Sequence, residues 1–248
     1  MKLSHLSSNA MILAAGFGKR LQPLTLNTPK PLLTIGHETL LDYHLKNIKN
    51  AGFEKAIINT HYLASKIETH LQQHACLPYA LSFEEILLDT GGGIARALSS
   101  FDKSFLSLNS DAYTSAYLPS LFETMANAFD PESMDALLLL TSTEKILGYQ
   151  ALGDFFHESA TGKITFRGNA PRAPYVYVGI QILSLGLFNK AQGTFPIHRL
   201  WQKAGSSGRL FGVIDTSDGA LWFDTGNHEG LCYARKYQAS QIQYTRNK

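Results

Sequence analysis

Residues 11–33, MILAAGFGKRLQPLTLNTPKPLL, decide how the rest of this chain is organised. The stretch begins with an apolar run, residues 11–14, of the kind that forms a buried strand. Gly16 and Gly18 follow at once, and glycines just past a strand let the backbone bend sharply and approach a ligand without a Cβ in the way. The N–H groups exposed at such a turn form a concavity that suits phosphate oxygens.

Three cations accompany this turn. Lys19 and Arg20 follow the glycines directly, and Lys30 stands between Pro29 and Pro31. Because proline restricts its own backbone and that of the residue before it, Lys30 is held on a segment with few alternative conformations. The glycines and cations together predict a site for a polyphosphate.

Two common glycine motifs do not describe the stretch. The dinucleotide fingerprint requires G-x-G-x-x-G, and Leu21 stands where its third glycine would be. The P-loop requires G-x-x-x-x-G-K-[ST]. Its candidate, Gly162-Lys163, is followed by Ile164 and has His157 in place of the first glycine. Both motifs are therefore excluded.

The stretch instead resembles the nucleotidyltransferase family that makes nucleotide sugars from sugar 1-phosphates, whose pattern is L-A-A-G-x-G-x-R-L-x-P-L-T-x-x-T-P-K-P-L. The resemblance covers residues 11–239. It implies an α/β fold in which a Rossmann-like, mixed and mostly parallel sheet is flanked by helices. It also implies that the nucleotide is bound by Leu13, Ala14, Ala15, Gly16, Gly18, Lys19, Arg20, Lys30 and Gly92.

Strand and helix patterns alternate after the motif, which independently predicts an α/β sheet with helices on both faces. Helical spacing covers residues 40–52 and 64–74, and strand patterns cover 55–59 and 79–84. We predict one nucleotidyltransferase domain, residues 11–248, after an N-terminal extension, residues 1–10. That extension lacks the long apolar core of a signal peptide.

A run of three glycines stands at residues 91–93, within the spelling LDTGGGI. It predicts a helix over 94–98, and it allows close backbone approach to a flat or anionic group. In the family, the loop at this place lies against the nucleotide base, and the resemblance therefore implies that Gly92 binds the nucleotide. The spelling resembles the branch that uridylylates N-acetylmuramic acid 1-phosphate, so UTP is the favoured triphosphate.

Asp111 and Asp224 are the candidate metal ligands. Asp111 follows a strand predicted over 105–108, and ligands of open α/β sheets bind at the carboxyl ends of strands. The resemblance implies that Asp111 holds the catalytic magnesium; an aspartate that caps the next loop is the alternative. Trp222-Phe-Asp-Thr-Gly-Asn227 resembles the family's W-x-D-x-G-T, whose aspartate is the second ligand. Two oxygen ligands with retained waters suit Mg²⁺.

The resemblance places sugar recognition at Asn109, Asp154 and Gly179. Asp154 lies in a Gly-Asp-Phe segment that contributes to the sugar pocket in the muramic-acid branch, and a turn aspartate is the alternative. Gly179 lies inside a strand predicted over 175–183, where glycine could let a ligand or another backbone approach.

One element of the family is missing. Many relatives carry a Glu-Lys-Pro segment whose lysine holds the sugar phosphate, and this chain has none. Lys163, Arg167 and Arg172 are possible substitutes, and the sequence does not choose among them.

Composition narrows the class of protein further. With 248 residues, a net charge of +2 and no long basic run, the chain does not resemble a nucleic-acid-binding protein. No apolar run approaches the roughly 20 residues needed to span a membrane. Cys76 and Cys232 are far apart and lack metal-ligand spacing, so we interpret them as buried or free thiols in a reducing cytoplasm, where we expect the protein.

His70 and His74 have helical spacing but no evident carboxylate or cysteine partner, so we expect a solvated helix face there.

The resemblance implies attack by a sugar 1-phosphate oxygen on the α-phosphate of a nucleoside triphosphate, with release of pyrophosphate. That oxygen is already ionised at neutral pH, because the second pKa of a phosphate is about 6. No general base is needed, and no Ser–His–Asp motif is found. Arg20, Lys30, Asp111 and Asp224 are the predicted catalytic residues, acting by positioning and charge neutralisation.

The most specific prediction is a uridylyltransferase that acts on N-acetyl-α-D-muramate 1-phosphate and forms UDP-N-acetylmuramate in cell-wall peptidoglycan recycling. A guanylyl- or thymidylyltransferase for another hexose or heptose 1-phosphate is the alternative within the class. A non-catalytic sensor of nucleotide sugars is the alternative outside it, and the intact catalytic residues argue against it. The sequence makes no prediction of the oligomeric state.

Overall fold

A nine-stranded mixed sheet carries helices on both of its faces in the computed structural model, which describes residues 5–246. The strands of this and two smaller sheets are β1 (Asn9–Leu13), β2 (Thr34–Ile35), β3 (Glu38–Thr39), β4 (Lys55–Thr60), β5 (Tyr79–Phe83), β6 (Phe105–Asn109), β7 (Ala112–Thr114), β8 (Ala136–Ser142), β9 (Ile146–Leu147), β10 (Phe155–His157), β11 (Ile164–Phe166), β12 (Tyr175–Leu183), β13 (Leu210–Ile214) and β14 (Trp222–Asp224). The α-helices are α1 (Leu40–Asn50), α2 (Ala64–His74), α3 (Asp89–Ala97), α4 (Leu118–Ala128), α5 (His198–Ser206) and α6 (His228–Arg246).

The strand order of the large sheet is β11-β10-β12-β6-β1-β4-β5, and β8 joins it by pairing with β12 and β13. β1 is parallel to β4 and β6, β4 is parallel to β5, and β8 is parallel to β13. β12 is antiparallel to β6, β8 and β10. The predicted mixed sheet is confirmed. Its parallel share is smaller than predicted, because each of these pairings of β12 is antiparallel.

Alternate side chains of β1 face two separate cores. Ala10 and Ile12 pack with α1, α2 and α4 on one face, whereas Met11 and Leu13 pack with α3 and α5 on the other. Successive side chains of a strand point to opposite faces, so a strand covered on both sides is apolar throughout. The apolar run at residues 11–14 is explained by this double burial.

The large sheet begins before the predicted start of the domain. Asn9 and Ala10 already pair with β4, and the buried Leu6 forms a β-bridge with Ser104. Residues 6–10, predicted to belong to an N-terminal extension, are therefore part of the sheet and its core.

A smaller sheet, in the order β7-β14-β9, lies under the C-terminal helix α6. Leu231 of α6 shares a core with Tyr113 of β7, Phe223 of β14 and Leu21 from the N-terminal motif. Helix α6 thus packs against both the motif and the strand that carries Asp224.

The start of α1 follows local capping chemistry, whereas the start of α3 differs from the prediction. Thr39 caps α1, because its Oγ1 accepts a hydrogen bond from the N–H of Asp42 at 3.0 Å. Helix α3 begins at Asp89 rather than near Ile94, so the three glycines lie inside the helix and not in front of it. None of the helices in the described part of the chain is long and apolar enough to cross a membrane.

Candidate active site

The two glycines of the turn after β1 have different surroundings. Gly18 has a positive φ of 63°, and a Cβ built on it would lie 2.9 Å from Thr25 Cγ2. Thr25 Oγ1 also donates a hydrogen bond to the carbonyl oxygen of Gly18 at 2.8 Å. Gly16 is exposed and has open space where a side chain would be. The backbone is therefore accessible to a ligand at Gly16, whereas at Gly18 it turns against the protein.

The three predicted cations lie together beside this turn. Lys19, Arg20 and Lys30 line one cavity of about 410 Å³, which Phe17, Gly18 and Gly226 complete. A cluster of positive charge next to exposed backbone N–H groups suits a polyphosphate.

Lys30 also connects the turn to the candidate metal ligand Asp111. Its Nζ lies 2.7 Å from Asp111 Oδ2, and the two side chains are 19% and 18% exposed. Burial by itself would raise the pKa of Asp111, but the charges of Lys30 and Arg20 outweigh it and hold that pKa below its ordinary value. Asp111 is therefore a carboxylate at neutral pH.

Strand pairing brings Asp224 to Asp111. In the antiparallel register of β14 and β7, Asp224 lies opposite Ala112, the neighbour of Asp111. A Cβ built on Gly226 would lie 2.7 Å from Arg20 Nη2, 2.9 Å from Asp111 Oδ2 and 3.1 Å from Asp224 Oδ1. The two carboxylates and the guanidinium thus converge on the space that a side chain at position 226 would fill.

Neighbouring groups fix the orientation of Asp224. Asn227 Nδ2 donates to Asp224 Oδ2 at 2.8 Å, and the N–H of Gly226 donates to Oδ1 at 3.2 Å. Burial raises the pKa of Asp224 above its ordinary value, Arg20 opposes this rise, and the charge of Asp111 adds to it. Asn227, which replaces the family's threonine, therefore supports the carboxylate directly.

This pair of carboxylates fits a hard divalent cation that takes most of its ligands from water and from the substrate. The described residues contain no group of three or more His, Cys, Asp or Glu placed to hold a metal. Asp111 and Asp224 therefore offer two oxygen ligands, and Mg²⁺ commonly combines such a pair with waters and substrate phosphates.

The glycine turn and Asp111 border a cavity of about 470 Å³, which we call the nucleotide cavity. It is lined by Leu13, Ala15, Gly16, Lys30, Asn59, Leu87, Asp89, Thr90, Asn109, Asp111 and Thr194. Of the predicted nucleotide-binding residues, Leu13, Ala15, Gly16 and Lys30 are in this lining. Ala14 lies between them, with its N–H bonded to Asn59 Oδ1 at 2.8 Å.

A second cavity, of about 250 Å³, lies on the other side of Asp111, and we call it the acceptor cavity. It is lined by Arg20, Asn109, Asp111, Ala112, Ile146, Tyr149, Asp154, Val176, Tyr177, Val178, Gly179, Trp222, Phe223 and Asp224. The three predicted substrate residues, Asn109, Asp154 and Gly179, all line it. Asn109 and Asp111 line both cavities, so the two spaces meet at the end of β6.

Gly179 permits the close approach of β12 to this junction. It has a positive φ of 84°, and a Cβ built on it would lie 3.0 Å from Asn109 Cβ and 3.3 Å from Ala112 Cβ. The pairing of β12 with β8 is also irregular between Tyr177 and Gln181. The structure thus gives this glycine a role in packing at the junction; a contact with a ligand stays a prediction.

Asp154 forms a wall of the acceptor cavity. It accepts hydrogen bonds from the N–H of Tyr177 at 3.1 Å and from Tyr149 Oη at 3.4 Å. Burial raises the pKa of Asp154, and these hydrogen bonds oppose the rise only in part. The buried Tyr177 Oη has no hydrogen-bond partner within residues 5–246. The Asp154 carboxylate is thus held in a fixed orientation at the wall of the cavity.

A third cavity, of about 460 Å³, adjoins the second behind Asp154 and Tyr177, and we call it the side cavity. It is lined by Gly153, Asp154, Phe155, Phe166, Arg167, Gly168, Tyr177, His198, Trp201 and Gln202. Of the three basic residues left open by the sequence, Arg167 is the one in this lining. Arg172 is exposed, and Lys163 lies over the ring of Phe211.

Each glycine of the run in α3 faces a different protein neighbour. A Cβ would lie 2.4 Å from the ring of Phe195 at Gly91, 2.5 Å from the carbonyl oxygen of Gly193 at Gly92, and 2.5 Å from Glu84 Oε1 at Gly93. The N–H of Gly92 donates to the carbonyl of Phe195 at 3.1 Å, and Gly92 is not in the lining of the nucleotide cavity. The run is thus explained by packing, and a nucleotide contact at Gly92 stays a prediction.

Sequence reasoning missed Asn59, Glu84 and Thr194 and misjudged the surroundings of His70. Asn59 stands at the carboxyl end of β4, so the rule that identified Asp111 could also have identified it. Thr194 lies in an irregular loop and has no such indicator. His70 Nε2 lies 2.8 Å from Asp42 Oδ1, and the His70 side chain is 16% exposed, so the expected solvated helix face is wrong for His70, whereas His74 is exposed.

The chain belongs to the nucleotidyl transferase family, whose model matches residues 9–149. Within that family, its similarity to a curated relative over most of both chains makes it a sugar-1-phosphate nucleotidyltransferase.

Individual proteins show how far this similarity extends. The N-acetylmuramate alpha-1-phosphate uridylyltransferase of Caulobacter vibrioides is 35% identical over 225 residues, which cover 88% of this chain and 91% of that protein. The mannose-1-phosphate guanyltransferase beta-B of Xenopus laevis is 28% identical over 241 residues, which cover 90% and 63%. The crystal structure of a UDP-glucose pyrophosphorylase complexed with UDP-glucose has the same fold, with a TM-score of 0.72 at 17% identity over 94% of this chain and 98% of that one.

Proposed function

We propose that this protein transfers the uridylyl group of UTP to N-acetyl-α-D-muramate 1-phosphate and releases pyrophosphate. The observation that carries the proposal is the meeting of two cavities at Asn109 and Asp111. One is lined by the glycine turn and Lys30, and the other by Asp154 and Asp224. Two substrates in adjoining cavities would bring their reacting phosphates together at the shared wall, and such positioning can supply a large part of the rate enhancement.

The chemistry requires no proton transfer from the chain. An oxygen of the sugar phosphate forms a bond to the α-phosphorus of UTP. The bond from that phosphorus to the oxygen bridging to the β-phosphate breaks, and pyrophosphate leaves with the electron pair. The attacking oxygen is ionised at neutral pH, because its second pKa is about 6. The residues of the site therefore need only orient the phosphates and neutralise their charge.

The charged residues have distinct places in this scheme. The cavity lined by Lys19, Arg20 and Lys30 suits the β- and γ-phosphates and the leaving pyrophosphate. Asp111 and Asp224 would hold Mg²⁺, which when bound neutralises the negative charge of the phosphates. Arg20 converges with both carboxylates on the position that a Cβ of Gly226 would occupy, and it places a positive charge at the junction.

The side cavity supports muramic acid as the sugar. Muramic acid carries a lactyl ether that ends in a carboxylate, and Arg167 and His198 line this cavity next to the acceptor cavity. A charge-assisted hydrogen bond to a carboxylate is worth about 1.5–3 kcal/mol. The Caulobacter vibrioides relative, named for this sugar phosphate, supports the same choice. The product, UDP-N-acetylmuramate, would serve peptidoglycan recycling.

Pyrophosphate release measured across a panel of triphosphates and sugar 1-phosphates tests the proposal. UTP, GTP and dTTP are each combined with the 1-phosphates of N-acetylmuramate, N-acetylglucosamine, mannose and glucose. We expect UTP with N-acetylmuramate 1-phosphate to give the highest kcat/KM. A maximum with GTP and mannose 1-phosphate would favour guanylyl transfer, which the Xenopus laevis relative makes the second candidate. No release with any pair would favour the non-catalytic sensor.

A further inference from the structure

Glu84 is a buried carboxylate to which the proposed function assigns no role. It directly follows β5, its side chain is 0% exposed, and no ion pair of the described residues includes it. Its Oε1 accepts from Asn59 Nδ2 at 2.7 Å, and its Oε2 accepts from the N–H of Leu88 at 2.9 Å. Burying an ionisable group is costly, so a carboxylate held by two neutral donors needs an explanation.

The partner amide, Asn59, continues the hydrogen-bond chain to the phosphate turn. It is 3% exposed, and its Oδ1 accepts from the N–H of Ala14 at 2.8 Å. Its orientation is determined by its neighbours, because a backbone N–H can only donate and a carboxylate can only accept. The order of donors and acceptors is thus fixed from Ala14 through Asn59 and Glu84 to Leu88.

This chain of hydrogen bonds connects the two walls of the nucleotide cavity. Ala14 begins the glycine turn on one wall, and Leu88 precedes Asp89 and Thr90, which line the other. Asn59 itself lines the cavity between them. Helix α3 packs tightly on the pair, because a Cβ at Gly93 would lie 2.5 Å from Glu84 Oε1 and 2.7 Å from Asn59 Nδ2.

We infer that Asn59 and Glu84 are a positioning pair that fixes the separation of the two walls of the nucleotide cavity, and so determines affinity for the triphosphate. The inference rests on the proposed function for the identity of the ligand. Glu84 does not contact the nucleotide, since it is fully buried and both of its oxygens are bonded within the chain. It acts through the backbone that it holds.

Exchanging donor and acceptor between the two positions tests this role. In Glu84→Gln, the new side-chain NH₂ group replaces one of the two acceptor oxygens. Whichever way the amide is turned, an N–H donor therefore faces another donor in the chain of hydrogen bonds. In Asn59→Asp, two carboxylates face each other. The double variant Asn59→Asp/Glu84→Gln restores every bond with the middle one reversed, and it keeps the net charge. Glu85→Gln, at the exposed neighbouring position, is the matched control.

The readouts are the Kd of UTP measured without sugar phosphate, the KM of each substrate, and the melting temperature. We expect each single variant to raise the Kd and KM of UTP about ten-fold or more, with the KM of the sugar phosphate nearly unchanged. The double variant should recover most of this loss. If a single variant does not fold, a folded double variant with near wild-type UTP affinity still supports the inference.

Three results would overturn the inference. They are single variants that bind UTP as the unaltered chain does, a folded double variant that binds no better than the single ones, and equal losses in both KM values. Because UTP binding is measured alone, weakened binding in the single variants supports the pair even if no sugar phosphate yields pyrophosphate. An unaltered chain that binds no triphosphate would overturn both this inference and the proposed function.

Discussion

Gly226 has no room for a side chain, because Arg20, Asp111 and Asp224 each place an atom within 3.1 Å of the position that its Cβ would occupy. The positive charge of Arg20 opposes the repulsion between the two carboxylates, and the small residue between them leaves space for all three side chains. The family resemblance predicted the two aspartates and the arginine as catalytic residues. It did not indicate that the glycine of the second motif is required for the three side chains to converge on one position.

At this scale we expect Gly226→Ala to lower the rate of pyrophosphate release by about ten-fold or more, because the new methyl group displaces the carboxylates and the guanidinium from their positions. Its melting temperature should change little, since the displaced groups lie in an open cavity. Gly186→Ala is the control, because nothing lies within 4 Å of a Cβ built there. Unchanged turnover in Gly226→Ala would contradict the convergence of the three side chains.

Arg167→Gln tests how the sugar is recognised. We expect it to reduce the preference for N-acetylmuramate 1-phosphate over N-acetylglucosamine 1-phosphate by about ten- to a hundred-fold, because a charge-assisted contact with the lactyl carboxylate is lost. The measurement is the ratio of the two kcat/KM values. Arg172→Gln, which removes an equal charge at an exposed position, should leave the ratio unchanged. An equal effect of both variants would mean that the side cavity does not hold the lactyl group.

At the scale of elements, the sequence predicted where strands and helices lie better than it predicted what they do. The apolar run of β1 and the spacing of α1 depend on burial, which acts on neighbouring residues, and both elements are found. The role of the three glycines in α3 depends on Phe195, Gly193 and Glu84, which are distant in sequence or lie in irregular segments. No local pattern carries that information.

The start of α1 provides a test at the same scale. Thr39→Ala should lower the free energy of unfolding by about 1 kcal/mol, because the N–H of Asp42 loses its side-chain acceptor. Thr39→Ser keeps a hydroxyl group and should lose less. Chemical denaturation measures both variants, and neither should change the KM values. A Thr39→Ala variant as stable as the unaltered chain would show that the cap contributes nothing.

At the scale of the whole molecule, the site exists because distant segments meet. Asp224 reaches Asp111 through the pairing of β14 with β7, and α6 packs that small sheet against the N-terminal motif. Resemblance could identify each motif separately, but the junction of the cavities at Asn109 depends on the complete topology. The positions of Lys163, Arg167 and Arg172 relative to the cavities likewise required the fold.

His44 couples the stability of the whole molecule to pH. Burial lowers the pKa of His44 to about 4, and the charge of Asp111 and the backbone of Ser110 oppose this only in part. Unfolded histidine has a pKa of about 6.5, so between that pH and about 4 the unfolded chain binds a proton that the folded chain does not. Stability from His44 is therefore present above about pH 6.5 and is lost as the pH falls.

The expected size of the effect is a loss of about 2 kcal/mol in the free energy of unfolding between about pH 7.5 and about pH 5. His44→Leu should remove this part of the pH dependence, whereas His37→Leu, at an exposed position, should retain it. Denaturation at the two pH values measures the difference. Identical pH dependence in the unaltered chain and in His44→Leu would contradict a buried neutral imidazole.

The central claim is that Asp111 and Asp224 act together at the junction of the two cavities. The rate of pyrophosphate release by Asp224→Asn, from UTP and N-acetylmuramate 1-phosphate at saturating Mg²⁺, tests it most directly, because only the fold brings this residue to Asp111. We predict a rate about a hundred-fold or more below that of the unaltered chain, with a nearly unchanged melting temperature, since one of the two carboxylates that would hold the charge-neutralising Mg²⁺ is lost. A rate close to that of the unaltered chain would contradict the claim.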